Sequence, residues 1–102
     1  MTVNGDTIKA LESVYAERQR QDAKWGSQRE LPDPVWLAIL TEEVGESAQE
    51  VLTRIPGNEE AGKGHGDLRE ELVQVAAVAV AWVEALDIKD REDTLVLCAT
   101  SS

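Results

Sequence analysis

The chain has 102 residues, of which 20 are Asp or Glu, 10 are Lys or Arg and one is His, for a formal charge of -10. That length suits a single domain with one core, and a domain this small buries only about 60 to 70% of its unfolded surface, so self-association is expected to support it. The negative charge repels phosphate polymers and anionic membranes, which argues against nucleic-acid polymers and membrane surfaces as partners.

No segment alternates apolar and polar residues with the period of two that a strand requires, so the expected fold is all-α. A first helix can start after Asp6, whose carboxylate can cap free N–H groups. It runs through Ile8, Leu11, Val14, Tyr15 and Arg18 to about Lys24 and stops at Gly26. After the linker "GSQRELPDP", Asp33-Pro34 offers an N-cap followed by a proline at the first helical position, where no N–H is needed. The second helix then extends to Ile55 and meets Pro56-Gly57. Within it, Leu37, Leu40, Val44, Ala48, Val51 and Ile55 recur at helical spacing and form the expected core face. The loop "PGNEEAGKGHG" leads to Asp67, which with Glu70 resembles a capping box, and a third helix runs from there to about Leu86. The remaining "IKDREDTLVLCATSS" can hold a short fourth helix from about Asp90 with a fraying end. The expectation is one domain over residues 1–102, a helical bundle of about four helices with its core at about 6–87.

Two groups of polar residues stand out against this frame. In "LTEEVGE" of the second helix, Glu43 and Glu46 lie about 60° apart around the axis, and Glu42 also neighbours Glu46. Glu50 follows a turn later. The simplest reading makes these carboxylates the solvated face opposite Leu40, Val44 and Val51. In the third helix, however, Glu71 and Gln74 continue the apolar stripe of Val78, Ala81, Trp82 and Ala85, while Glu70 and Glu84 point elsewhere. A carboxylate on a packed face must be paired, protonated or metal-bound, unless Glu71, in the first turns of its helix, reaches solvent. Two antiparallel helices each presenting such a pair would surround a point with oxygen ligands, which suits Mg²⁺. Zinc lacks its usual donors in a chain with one Cys and one His.

The segments "ERQRQDAKWG", "WLAILTEEVGESAQEVL" and "LREELVQVAAVAVAWVEAL" together resemble the MazG-like branch of the all-α nucleotide pyrophosphohydrolases, over about residues 12–87. That family carries EExxE followed, after a loop, by ExxD. Here Glu42-Glu43-Val44-Gly45-Glu46 matches the first half, and Glu71-Leu72-Val73-Gln74 matches the second except that Gln74 stands in place of Asp. The resemblance implies Glu43, Glu46 and Glu71 as Mg²⁺ ligands, with Mn²⁺ as a substitute, and hydrolysis of a nucleoside triphosphate to the monophosphate and pyrophosphate. A neighbouring glutamate, Glu42 or Glu46, would act as base. Gln74 would offer only a neutral oxygen to a second metal or hold a water, with fewer metals, altered substrate choice or lost catalysis as the consequence.

Lys24 and Trp25 are candidates to contact phosphate and stack on a base, or else a solvated tip and a core plug. Arg18 and Asp22 form an ion pair that faces the pocket or lies on the surface. Trp82, on a nearly all-apolar helix, reads as core or interface. "GNEEAGKG" at 57–64 imitates a phosphate-binding loop, but Gly64 stands where Ser or Thr would hold Mg²⁺, and the segment follows a helix instead of a strand. His65 in the same stretch reads as a solvated loop residue.

The alanines 76, 77, 79 and 81 allow close packing on both sides of the third helix, which points to a homodimer or dimer of dimers, in keeping with the interface-built sites of the resembling family. Cys98 is the single cysteine, so no disulfide can form within the chain, and no secretory-type segment opens it; a cytoplasmic protein is expected. The longest apolar run, Val75 to Val83, is far short of the roughly 20 residues a bilayer requires. Two functions compete: a Mg²⁺-dependent nucleoside triphosphate pyrophosphohydrolase, and a non-catalytic helical module that binds nucleotides or a protein. A purely structural acidic dimer is a third.

Overall fold

The computed structural model describes residues 4–26, 30–57 and 67–100. These form three α-helices: α1 (Gly5–Trp25), α2 (Asp33–Leu52) and α3 (Leu68–Thr100). The loop imitating a phosphate-binding site, apart from Gly57, and His65 lie outside the described residues.

Each boundary has a local cause. The cap of α1 is Asn4 and not Asp6: the Asn4 side chain accepts the Asp6 N–H at 2.7 Å. At the other end Gly26 turns to φ +70° and donates its N–H to the Asp22 carbonyl, a conformation that costs glycine least. In α2 the capping position falls to Pro32, so Pro34 sits in the first turn, where its missing N–H is harmless. Asp33 does not cap; its carboxylate accepts the Trp82 indole N–H at 3.0 Å and ties the start of α2 to α3. The helix ends at Leu52, short of Ile55, and the chain leaves through a turn at 53–57. At the start of α3, Asp67 Oδ1 accepts the Arg69 N–H at 2.9 Å.

The expected break after Leu86 is absent, and the segment expected as a fourth helix is the continuation of α3. No glycine or proline lies between 86 and 100, so nothing in the backbone interrupts the ladder. A helix of 33 residues is about 50 Å long, and its distal part extends past the other two helices. This accounts for a radius of gyration of 17.7 Å, well above the roughly 13 Å of a compact chain of this size.

α3 is the spine. It packs against both α1 and α2, while no comparable packing joins α1 to α2. α2 runs antiparallel to α3, with Asp33 beside Trp82 at one end and Glu43 beside Gln74 further along. The apolar core is small: Trp36, 1% exposed, fits against Val78, Ala81 and Ala85, with Leu31, Ile39, Leu40 and Trp82 around it. The alanines of α3 leave the space that the Trp36 indole fills.

The face of α2 that points inward differs from the expected one. Leu37, Val44, Ala48, Val51 and Ile55 are exposed, and only Leu40 of that stripe is partly buried. The inward stripe is Trp36, Leu40, Glu43, Ser47 and Glu50, also at helical spacing, and it buries carboxylates. Seating Trp36 against the α3 alanines fixes the rotation of α2, and that rotation turns the acidic residues in and the Leu/Val stripe out.

Candidate metal centre and adjoining cleft

Beyond the apolar layer the packed surface becomes polar. Among the described residues Glu17, Gln21, Ser47, Glu50 and Glu71 are buried, as many as form the buried apolar set there, so the polar end is part of the interior. The reading of the α2 carboxylates as a solvated face therefore holds only for Glu42, which is exposed; Glu43 and Glu46 are half-buried and Glu50 is buried. On α3 Glu71 is 6% exposed, so the alternative in which it reaches solvent is excluded.

Glu43, Glu46 and Glu71 each bring a carboxylate oxygen within 4.8 Å of the other two. α2 places the first two one turn apart, and the antiparallel crossing brings α3 to them at Glu71. Oxygens on an octahedral Mg²⁺ lie roughly 3 Å apart when adjacent and roughly 4 Å apart when opposed, so the three carboxylates would draw inward to hold one hard cation. With no nitrogen or sulfur donor among the three, the chemistry of the set favours Mg²⁺ or Mn²⁺ over zinc.

Gln74 adjoins the cluster, its amide group facing Glu43 and Glu71. Assigned with Nε2 toward the carboxylates, the amide donates to Glu43 Oε2 at 3.1 Å and to Glu71 Oε2 at 3.3 Å, the orientation that suits the ionised groups. Burial pushes the Glu43 carboxyl up to about 7, with Glu46, Glu71, Glu42 and Glu17 adding repulsion. Glu71 is also raised, first by burial and then by Glu46, through both its charge and a shared hydrogen bond, with Glu50 and Glu70 contributing. Carboxyl groups held this way without a cation retain protons that a bound dication would displace.

Next to the cluster, α1 and α2 stand apart over α3 and enclose a cleft of about 550 Å³. Glu42, Glu43 and Gln74 line it from one side, Lys24 and Trp25 from the end of α1. Trp25 is 55% exposed, which rules out a core plug, and Lys24 Nζ lies 4.7 Å from the centre of its ring, within cation–π range. Arg18 is not among the lining residues. Its guanidinium reaches across to Glu84 on α3, at 2.8 Å from Nε to Oε2, and pairs with Asp22 at 3.0 Å. It fastens α1 to the spine.

Sequence reasoning missed Glu17, Gln21 and Arg20. Glu17 and Gln21 are a turn apart on the inward side of α1, and Arg20 pairs with Glu17 while lining the cleft. The i, i+4 spacing of Glu17 and Gln21, leading one turn on to Lys24 and Trp25, was the available signal.

Comparison of the chain with protein-family models, with curated proteins and with solved structures gives no match in any of the three.

Proposed function

We propose that the protein is a Mg²⁺-dependent nucleoside triphosphate pyrophosphohydrolase, releasing a nucleoside monophosphate and pyrophosphate. The observation that carries this reading is the convergence of Glu43, Glu46 and Glu71 at the edge of a cleft whose far side carries Lys24 and Trp25. The sequence resemblance to the MazG-like enzymes supplies the reaction type.

When bound, Mg²⁺ supplies neutralisation of polyphosphate charge and acidification of water. Glu43, Glu46 and Glu71 would hold it. Glu42, exposed on the same helix and lining the cleft, is free of the buried cluster and suited to take a proton from an attacking water. Lys24 would contact a phosphate, and the exposed Trp25 ring would stack on a base. The test is a panel of nucleoside triphosphates assayed with and without Mg²⁺, separating pyrophosphate from orthophosphate. Orthophosphate alone, or no product from any member, would overturn the proposal.

One observation favours a second reading. The Gln74 amide already satisfies two of the three carboxylates, so a non-catalytic nucleotide-binding module is the alternative. Nucleotide-dependent thermal stabilisation without turnover would select it.

We also propose self-association. Leu37, Val44 and Val51 on α2 and Leu72 and Val83 on α3 are each about half exposed, and those of α2 recur at seven-residue spacing along one stripe that a second copy of the chain would cover. Light scattering is expected to give a dimer or a dimer of dimers, and Val44→Glu with Val51→Glu is expected to shift it toward monomer. A monomer at micromolar concentration would contradict this. No helix of the described residues is long and apolar enough to cross a membrane.

A further inference from the structure

We infer that Arg20, held in place by Glu17, is an anion-binding residue of the cleft and acts beside Lys24 on the polyphosphate arm of a substrate. This inference rests on the nucleotide-site reading above and names a residue, not marked out by the sequence, that binds the phosphates.

The cleft separates charge by helix. Its lining carboxylates on α2 and α3 are Glu42, Glu43 and Glu70, whereas its lining cations, Arg20 and Lys24, both stand on α1. Four residues separate the two cations, so they share one face of α1, about 6 Å apart along the axis. In a chain of formal charge -10, this is a wall against which an anionic ligand can lie. A ligand carrying several linked phosphates can meet both cations at once. Glu17 gives the wall its order. It is 9% exposed, while the Arg20 side chain is 65% exposed, so a buried carboxylate anchors an outward-reaching cation. A carboxylate buried that far requires a partner, and Arg20 supplies it, through Nε at 2.9 Å and through Nη2, both to Oε1. A guanidinium carries five N–H donors in a fixed fork, so donors remain for phosphate oxygens after Glu17 is satisfied. Held at one edge, the side chain also has less freedom to lose when a ligand binds. Arg20 thus binds the anion directly, and Glu17 is a positioning residue that acts through it.

The test is calorimetric titration of the full chain with inorganic tripolyphosphate and with a nucleoside triphosphate, both in Mg²⁺, for the wild type, Arg20→Ala, Arg20→Lys, Glu17→Gln and the double variant. Arg20→Ala is expected to weaken both ligands by at least about tenfold, the scale of lost hydrogen bonds to a charged group. Arg20→Lys keeps the charge without the fork and is expected to recover part of that loss. Glu17→Gln is expected to weaken binding severalfold alone and to add nothing in the Arg20→Ala background, which separates positioning from a general structural effect. Arg20→Lys decides the matter if Arg20→Ala does not fold. Wild-type affinity in a folded Arg20→Ala, Glu17→Gln losses that persist in the double variant, or failure to bind tripolyphosphate by a wild type that turns over nucleotides would overturn this inference alone. A wild type that neither binds nor hydrolyses any nucleoside triphosphate would instead overturn the reading of the site, so the two failures are distinct.

Discussion

The side-chain amide of Gln74 meets Glu43 Oε2, at 3.1 Å with its nitrogen assigned toward the carboxylate, and joins α3 to α2 at the depth where the core changes from apolar to acidic. The same nitrogen reaches Glu71, so one amide supports two carboxylates taken out of water. Gln74→Leu leaves both without that donor. It is expected to destabilise the metal-free protein by about 1–3 kcal/mol, the cost of unsatisfied buried polar groups. The measurement is the urea midpoint without metal, and an unchanged midpoint would remove Gln74 from the account.

The raised carboxyls make the metal-free protein sensitive to pH in an unusual direction. Glu43 moves from its ordinary 4.5 to about 7 in the folded state. An acid raised on folding gives stability that is fully present below its unfolded value and is lost as pH rises through its folded value. Glu71 shifts in the same direction. Stability without metal is therefore expected to fall between about pH 4.5 and pH 7, and Mg²⁺ is expected to restore more of it at the upper end, because only the deprotonated groups bind. Urea titrations at both ends of that range, with and without Mg²⁺, check this; stability that rises with pH in the absence of metal would contradict it.

Arg18 and the pair Lys24 and Trp25 separate by the kind of defect they should produce. Arg18 is bound to Glu84 and Asp22 at partly exposed positions, so Arg18→Ala is expected to cost about 1 kcal/mol and lower Tm by several degrees, with nucleotide affinity unchanged. Lys24→Ala and Trp25→Ala are expected to do the reverse, weakening nucleotide binding several-fold with Tm preserved. Thermal melts and nucleotide titrations of the three variants distinguish the roles.

Gly45 sits in the interior of α2, and a methyl group added to it meets nothing within 4 Å. Gly45→Ala is expected to stabilise the protein by about 0.5–1 kcal/mol through the lower entropy cost of fixing alanine in a helix. A loss of stability would mean that a partner subunit packs against this position.

Much of this arrangement was legible in the residues. The period of the apolar positions gave an all-helical chain, Gly26 the end of α1, and the projection of α3 the shared face of Glu71, Gln74, Val78, Ala81 and Ala85. The rotation of α2 was not legible, because two stripes of helical spacing share Leu40. The one richer in Leu and Val looks like the core, yet a single large residue, Trp36, fitting the α3 alanines selects the other. Burial of Glu43, Glu46 and Glu50 follows from that choice and cannot be read from α2 alone. The continuity of α3 was missed for another reason: Asp87 and Asp90 suggest a stop and a new cap, but neither breaks a helix, and no glycine or proline does so nearby.

The central claim is that Glu43, Glu46 and Glu71 form a metal-dependent hydrolytic centre, and it is tested most directly by following nucleoside triphosphates with ³¹P NMR in the presence and absence of Mg²⁺. Wild type and Glu46→Gln are compared, both verified as folded. The account predicts Mg²⁺-dependent appearance of pyrophosphate and monophosphate in the wild type, and a loss of at least about 100-fold in rate for Glu46→Gln, the scale associated with removing a directly acting group. Pyrophosphate release that persists in Glu46→Gln, or that proceeds without a divalent cation, would contradict it.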